Sequence, residues 1–125
     1  MELIQVGTIR SPYRTRQEAP RQGRPGDPPC RIEIREEFAP ALRCLEGARR
    51  LVVIYWMHLS DRRVLQVHPH GQTVLKGVFA TRSPDRPNPL GLCVVELLAR
   101  EGNTLVVSGL DALDGSPLLD IKPAD

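Results

Sequence analysis

Apolar residues in this chain fall in short, strand-length runs separated by clusters of Gly, Pro, Asn and Asp. Residues 3–10 carry β-formers and run into Ser11-Pro12, which predicts a strand ending in a turn. The stretch RIEIR at 31–35 alternates apolar and charged positions and sets Ile32 and Ile34 on one inward face. Pro40, the Leu42/Leu45 pair and then Gly47 predict a short helix that plugs one end of the fold. Residues 50–59 hold the most apolar run, too short and too β-branched for a helix, and predict a central strand. Two further strands are expected at 64–67 and 73–80, around the turn His68-Pro69-His70-Gly71. Residues 92–100 and 104–110 flank Glu101-Gly102-Asn103, a hairpin signal. Six or seven short strands at this spacing, with one short helix, predict a mainly β chain: a single small antiparallel β-barrel over residues 1–125. No internal repeat, heptad or strand–helix alternation is present.

Two segments break the pattern. Residues 11–29 contain five prolines, two glycines and no apolar periodicity, so they read as a long irregular loop. Residues 77–92, GVFATRSPDRPNPLGL, set Arg82 and Arg86 among three prolines. Pro fixes φ and removes a donor, so this segment is neither helix nor central strand but a stiff loop. A stiff loop holds its guanidiniums with little entropy left to lose, which favours bidentate capture of a carboxylate or phosphate. Residue types alone leave the plainer reading equally open, a structural turn with solvated arginines.

Four blocks occur in order along the chain: VGTIRSPYRTRQEAPRQG, LEGARRLVVIYWMH, GVFATRSPDRPNPLGL and SGLDALDGSPLLDIKP. Together they resemble the TrmO (TsaA-like, YaeB-like) family of S-adenosylmethionine-dependent tRNA methyltransferases over nearly the whole chain. The resemblance implies a small β-barrel acting as a homodimer, with S-adenosyl-L-methionine near the subunit interface. Longer members carry a further C-terminal domain. It also implies a cofactor site formed by Pro20, Arg21 and Gln22 of APRQ, by His58 and Leu59, by Arg82 and Leu92, and by Asp111, Ala112, Leu113 and Asp114. Arg82 would neutralise a carboxylate and Leu92 would supply an apolar wall. The implied reaction is in-line methyl transfer to the exocyclic amine of threonylcarbamoyladenosine beside the tRNA anticodon. Such a transfer needs orientation and a proton acceptor. His58 and Asp114 are the catalytic candidates, with Asp120 a further acceptor. Arg14, Arg16 and Arg86 are candidates for anticodon-loop phosphates or the threonyl carboxylate.

Composition narrows the picture only slightly. A net charge of +2 argues weakly for nucleic acid, yet 15 of the 17 basic residues are arginine and several cluster at 10–24. Three cysteines without metal-like spacing read as reduced thiols, Cys44 and Cys93 in apolar surroundings. The absence of a long apolar run or signal-like start leads to the expectation of a cytoplasmic protein without membrane contact. No G-x-G-x-x-G follows a strand, which argues against a Rossmann-type cofactor site. His68-x-His70 lacks a third nearby ligand, so no metal site is expected. The turn 111–115 presents two carboxylates and backbone groups suited to ribose and adenine, or to its own Asx-turn alone. Two alternatives stay open: a methyltransferase acting on a small molecule or another RNA, and a cofactor-binding module without catalysis.

Overall fold

The computed structural model describes residues 1–124. Six antiparallel strands close into a barrel in the order β1-β2-β7-β6-β3-β8, with β8 returning to β1. These are β1 (Gly7–Arg10), β2 (Cys30–Ile34), β3 (Arg50–Trp56), β6 (Leu90–Glu101), β7 (Thr104–Ser108) and β8 (Pro117–Pro123). Two short strands, β4 (Gln66–Val67) and β5 (Lys76–Gly77), pair only with each other, outside the barrel.

Alternation along each strand makes the core. Ile9 of β1, Cys30 and Ile32 of β2, Leu51, Val53 and Tyr55 of β3, Cys93 and Val95 of β6, Leu105 and Val107 of β7 and Leu118 of β8 all point inward and are buried. Each large aliphatic side chain removed from water in this way contributes about 1.5–3 kcal/mol. Closure leaves the barrel no free edge, so every long strand has a partner on both sides.

The expected barrel is present, and its differences from the sequence reading have local causes. The barrel's last strand, β8, was not among the expected ones. It begins and ends on proline and shows only Leu118 fully buried, so it lacks the apolar run that marks β3. Of the run at 73–80, only Lys76–Gly77 is strand, and Val78–Ala80 is a 3-10 turn. The expected helix over 40–47 resolves into two 3-10 segments, Glu36–Leu42 and Leu45–Gly47. Pro40 sits inside the first, and Cys44 at φ 68° separates the two. That left-handed residue faces solvent, so Cys44 is exposed and not packed among apolar groups as expected. Leu42 is buried in the core and Phe38 and Leu45 pack against it, as a plug would require. Among the described residues no helix is long and apolar enough to cross a membrane.

Candidate functional site

The barrel wall at the ends of β3 and β6 borders a cleft of about 1080 Å³. Its floor starts from strand pairing. Tyr55 lies opposite Gly91 in the β3/β6 ladder. A side chain at Gly91 would place its Cβ 2.3 Å from the Tyr55 ring, so only glycine allows that ring to lie across β6. The Tyr55 hydroxyl then donates a 2.6 Å hydrogen bond to Oδ1 of Asp111. Burial pushes the Tyr55 hydroxyl's pKa well up, with the Asp111 carboxylate adding to it, so it stays a donor at any ordinary pH.

The turn carrying Asp111 is held from several directions. Ser11 Oγ donates to Ala112 O at 2.7 Å and Ser116 Oγ to Leu113 O at 2.6 Å. Gly115, at φ 82°, gives its amide to Ile9 O. Asp114 receives the Ser11 amide on Oδ1 at 3.1 Å and donates its own amide to Tyr13 O. Asp114 is thus occupied in bracing the turn.

The long loop at 11–29 comes to the cleft by a close approach. At Gly23 an added Cβ would sit 1.8 Å from Gly109 O, so the loop backbone rests directly on the end of β7. The amide of Gly26 reaches Ser108 Oγ at 3.3 Å. Farther along, Arg16 makes two 3.2 Å hydrogen bonds to Asp85, whose Oδ1 also accepts the Asp61 amide at 2.9 Å. Asp85 therefore joins three loops.

The Pro-Arg loop is as rigid as its sequence implies, for an added reason. Arg86 turns inward and donates to Ser83 O, Val78 O and Thr81 O at 2.7, 2.7 and 2.5 Å. Arg62 grips the same loop through Pro87 O at 2.8 Å and Asn88 Oδ1 at 3.3 Å, with its guanidinium 4.9 Å from the Trp56 ring centre. Arg82 remains exposed, donating only to Leu92 O at 3.3 Å.

The structure brings nearly all the sequence-derived cofactor residues together. Pro20, Arg21 and Gln22 line the cleft from the long loop, His58 and Leu59 from the end of β3, and Arg82 and Leu92 from the Pro-Arg loop and β6. Asp111, Ala112 and Leu113 complete the set. Asp114 is outside that lining. So is Asp120, paired with Lys122 on the barrel exterior. Of the substrate candidates, Arg14 does not line the cleft, Arg16 lines it while paired to Asp85, and Arg86 lines it with its guanidinium spent on loop carbonyls.

Sequence reasoning missed Tyr55, Gly91, Met57 and a wall made by Val67, His68, Pro69, His70, Gln72 and Lys76. Tyr55 could have been found from its inward position two residues after Val53. The 67–76 wall could not, because it depends on where the β4/β5 excursion folds back. Cys93 lies beneath the cleft, its thiol donating to Gly109 O at 3.1 Å and pushed up to about 12, mainly by burial. Cys30 is pushed up to about 11 for the same reason. Neither is a nucleophile at neutral pH. Among the described residues no three His, Cys, Asp or Glu side chains gather to hold a metal.

Chemically, the cleft combines a fixed carboxylate, an exposed guanidinium, apolar side chains and backbone groups of a rigid turn. That set fits a ligand with an anionic end, a polar sugar-like end and an apolar middle.

Comparison with known proteins points the same way. A family model described as the tRNA-methyltransferase O N-terminal domain matches residues 8–124. An S-adenosyl-L-methionine-binding protein of Archaeoglobus fulgidus is 52% identical over 122 residues, covering 98% of this chain and 88% of that protein. A probable S-adenosyl-L-methionine-binding protein, VirR, of Rhizobium radiobacter is 46% identical over 97% of this chain and 69% of its own length. A crystal structure of TrmO superposes with a TM-score of 0.83 at 34% identity, and TrmO from Pseudomonas aeruginosa with 0.78 at 32%. The chain is covered fully in both cases but spans only 57% and 56% of those solved chains.

Proposed function

The chain belongs to the tRNA-methyltransferase O N-terminal domain family, and from that premise we propose that it is an S-adenosyl-L-methionine-dependent methyltransferase acting on tRNA. The observation that carries the reading is the convergence, in one cleft, of ten of the eleven residues that the family resemblance assigns to the cofactor. These residues fit the cofactor's chemistry. Asp111, fixed by Tyr55, accepts hydrogen bonds from a ribose diol. Arg82 offers a guanidinium to a carboxylate, and Leu92 and Met57 give an apolar wall. Backbone groups at Ala112 and Leu113, held by Ser11 and Ser116, can read an adenine edge.

When bound, the cofactor supplies an electrophilic methyl on a sulfonium, an intrinsically good leaving group. The chain's own residues must align the acceptor and take its proton. Rigid loops supply the alignment, because three segments meet at Asp85 and Arg86 fixes the Pro-Arg loop from within. His58 is the better placed proton acceptor. It is exposed and lines the cleft, whereas Asp114 is engaged behind the turn. The acceptor proposed is the exocyclic amine of threonylcarbamoyladenosine, as the family resemblance implies.

A homodimer accords with the outer barrel face. The β3/β6 pairs Val52–Val94, Ile54–Leu92 and Trp56–Leu90 all point outward and form an apolar stripe beside the open cleft. Covering it with a second copy would also close the cofactor site.

Transfer of tritiated methyl from S-adenosylmethionine tests the function. Label in tRNA is the expected result. Label only in small molecules would favour the small-molecule reading, and cofactor binding without any transfer would favour a binding module.

A further inference from the structure

The excursion that carries β4 and β5 has an unusual charge pattern. Between Asp61 and Asp85 there are no acidic residues, yet the segment holds four of the 17 basic ones, Arg62, Arg63, Lys76 and Arg82, and two of the three histidines. The rest of the chain therefore carries 13 basic residues against 15 acidic. Residues 62–84 thus carry a formal +4 and the rest of the chain −2, and the excursion forms one wall of the cleft through His68, His70 and Lys76. Lys76 pairs with Val67 through the backbone, and its ammonium makes no hydrogen bond or ion pair among the described residues.

Phe79 is the second observation. It is 87% exposed, and it is not on a loose loop. It follows Val78, which is buried and whose carbonyl accepts from the Thr81 amide, the Thr81 hydroxyl and Arg86. The Val78 amide donates to Leu65 O at 2.9 Å. A 3-10 turn pinned in this way points the residue after Val78 outward, so the ring is displayed on a rigid platform three residues after Lys76. A displayed aromatic in a cationic segment that itself carries no acidic residue is the combination that holds unpaired bases and their phosphates.

We propose that the 62–84 excursion is a docking surface for single-stranded RNA, with Phe79 stacking on an unpaired base and Lys76, flanked by His68 and His70, contacting phosphate. The proposal rests on the RNA-acceptor reading above, and it moves the RNA contact away from Arg14 and Arg16. Arg16 is already paired to Asp85.

The test is fluorescence anisotropy of the full chain with a labelled anticodon stem-loop oligoribonucleotide across a salt series. Phe79→Ala should weaken binding roughly 5- to 150-fold, the loss of one base–aromatic stack. Phe79→Trp should bind as the parent does, and Phe79→Leu should bind as weakly as the alanine variant. Lys76→Ala should reduce the log–log salt slope by about 0.7. Phe79 is on the surface, so circular dichroism should show its variants folded. If Phe79→Leu binds like the parent, or Lys76→Ala leaves the slope unchanged while Arg14→Ala/Arg16→Ala lowers it, the surface lies elsewhere and the RNA reading stands. If Phe79→Ala abolishes self-association in light scattering, the face is an interface between copies and the proposal is overturned. If the parent protein binds no RNA, the RNA-acceptor reading falls, and the docking surface with it.

Discussion

Tyr55→Phe removes one oxygen from the floor of the cleft and nothing else. The ring stays packed over Gly91, so no cavity forms and no strand shifts. What is lost is a 2.6 Å hydrogen bond to a carboxylate. A hydrogen bond to a charged group contributes about 1.5–3 kcal/mol, and the half-exposed Asp111 recovers part of that from water, so stability should fall by about 1–2 kcal/mol. In a 125-residue domain this lowers the melting temperature by several degrees. The larger consequence lies in binding. Without Tyr55 the Asp111 carboxylate is free to rotate, so its pre-organisation toward a ribose diol is lost. Calorimetric titration with S-adenosylmethionine should show affinity reduced about tenfold, equivalent to about 1.4 kcal/mol. Turnover at saturating cofactor should change much less. A variant with a lower melting temperature but parental cofactor affinity would make the Tyr55–Asp111 pair a stability device only, with no part in holding the cofactor.

Other perturbations reach the site from different sides. Arg82→Ala should weaken cofactor binding by about 1.5–3 kcal/mol if its exposed guanidinium meets the cofactor carboxylate, and Arg82→Lys should restore only part; equal calorimetric affinities would reject that pairing. Gly23→Ala forces the long loop off Gly109 O, so cofactor affinity should drop together with Pro20, Arg21 and Gln22 leaving the cleft, while barrel melting changes little; unaltered affinity would show that the loop does not contribute. Burial raises the thiols of Cys30 and Cys93 from 9.0 to about 11 and about 12, so their contribution to stability is complete below pH 9 and is lost as pH rises through those values. Chemical denaturation from pH 8 to 11 should show that decline, and Cys93→Ala should make it shallower; an identical slope in the variant would contradict the assignment.

The barrel was legible wherever one face of a strand is wet. RIEIR and the run at 50–56 announce their inward residues by alternation, and both form strands within a residue or a few of the expected bounds. β8 was not legible, because its flanking prolines and its Asp120 and Lys122 resemble a tail, and its place in the barrel comes from pairing with β1 and β3. The site was legible as motifs, since APRQ, the Pro-Arg loop and the 111–114 turn carry their chemistry in local sequence. Individual roles were not. Arg86, an anion-binding candidate by its sequence, spends its guanidinium on loop carbonyls; Asp114, a candidate base, receives the Ser11 amide on its carboxylate; and Tyr55, which carries no motif, fixes Asp111. Each of those depends on a partner tens of residues away or on the local fold of a loop, which no spacing rule contains.

Methyl transfer to tRNA by this cleft leaves a modified nucleoside in the cell. It is tested most directly by comparing the tRNA nucleosides of cells that contain the protein with those of cells that lack it, using liquid chromatography and mass spectrometry. The expected result is a threonylcarbamoyladenosine species heavier by one methyl group that disappears without the protein, returns with the parental chain and returns at a lower level with Arg82→Ala. Identical nucleoside profiles in the two cell types would contradict it.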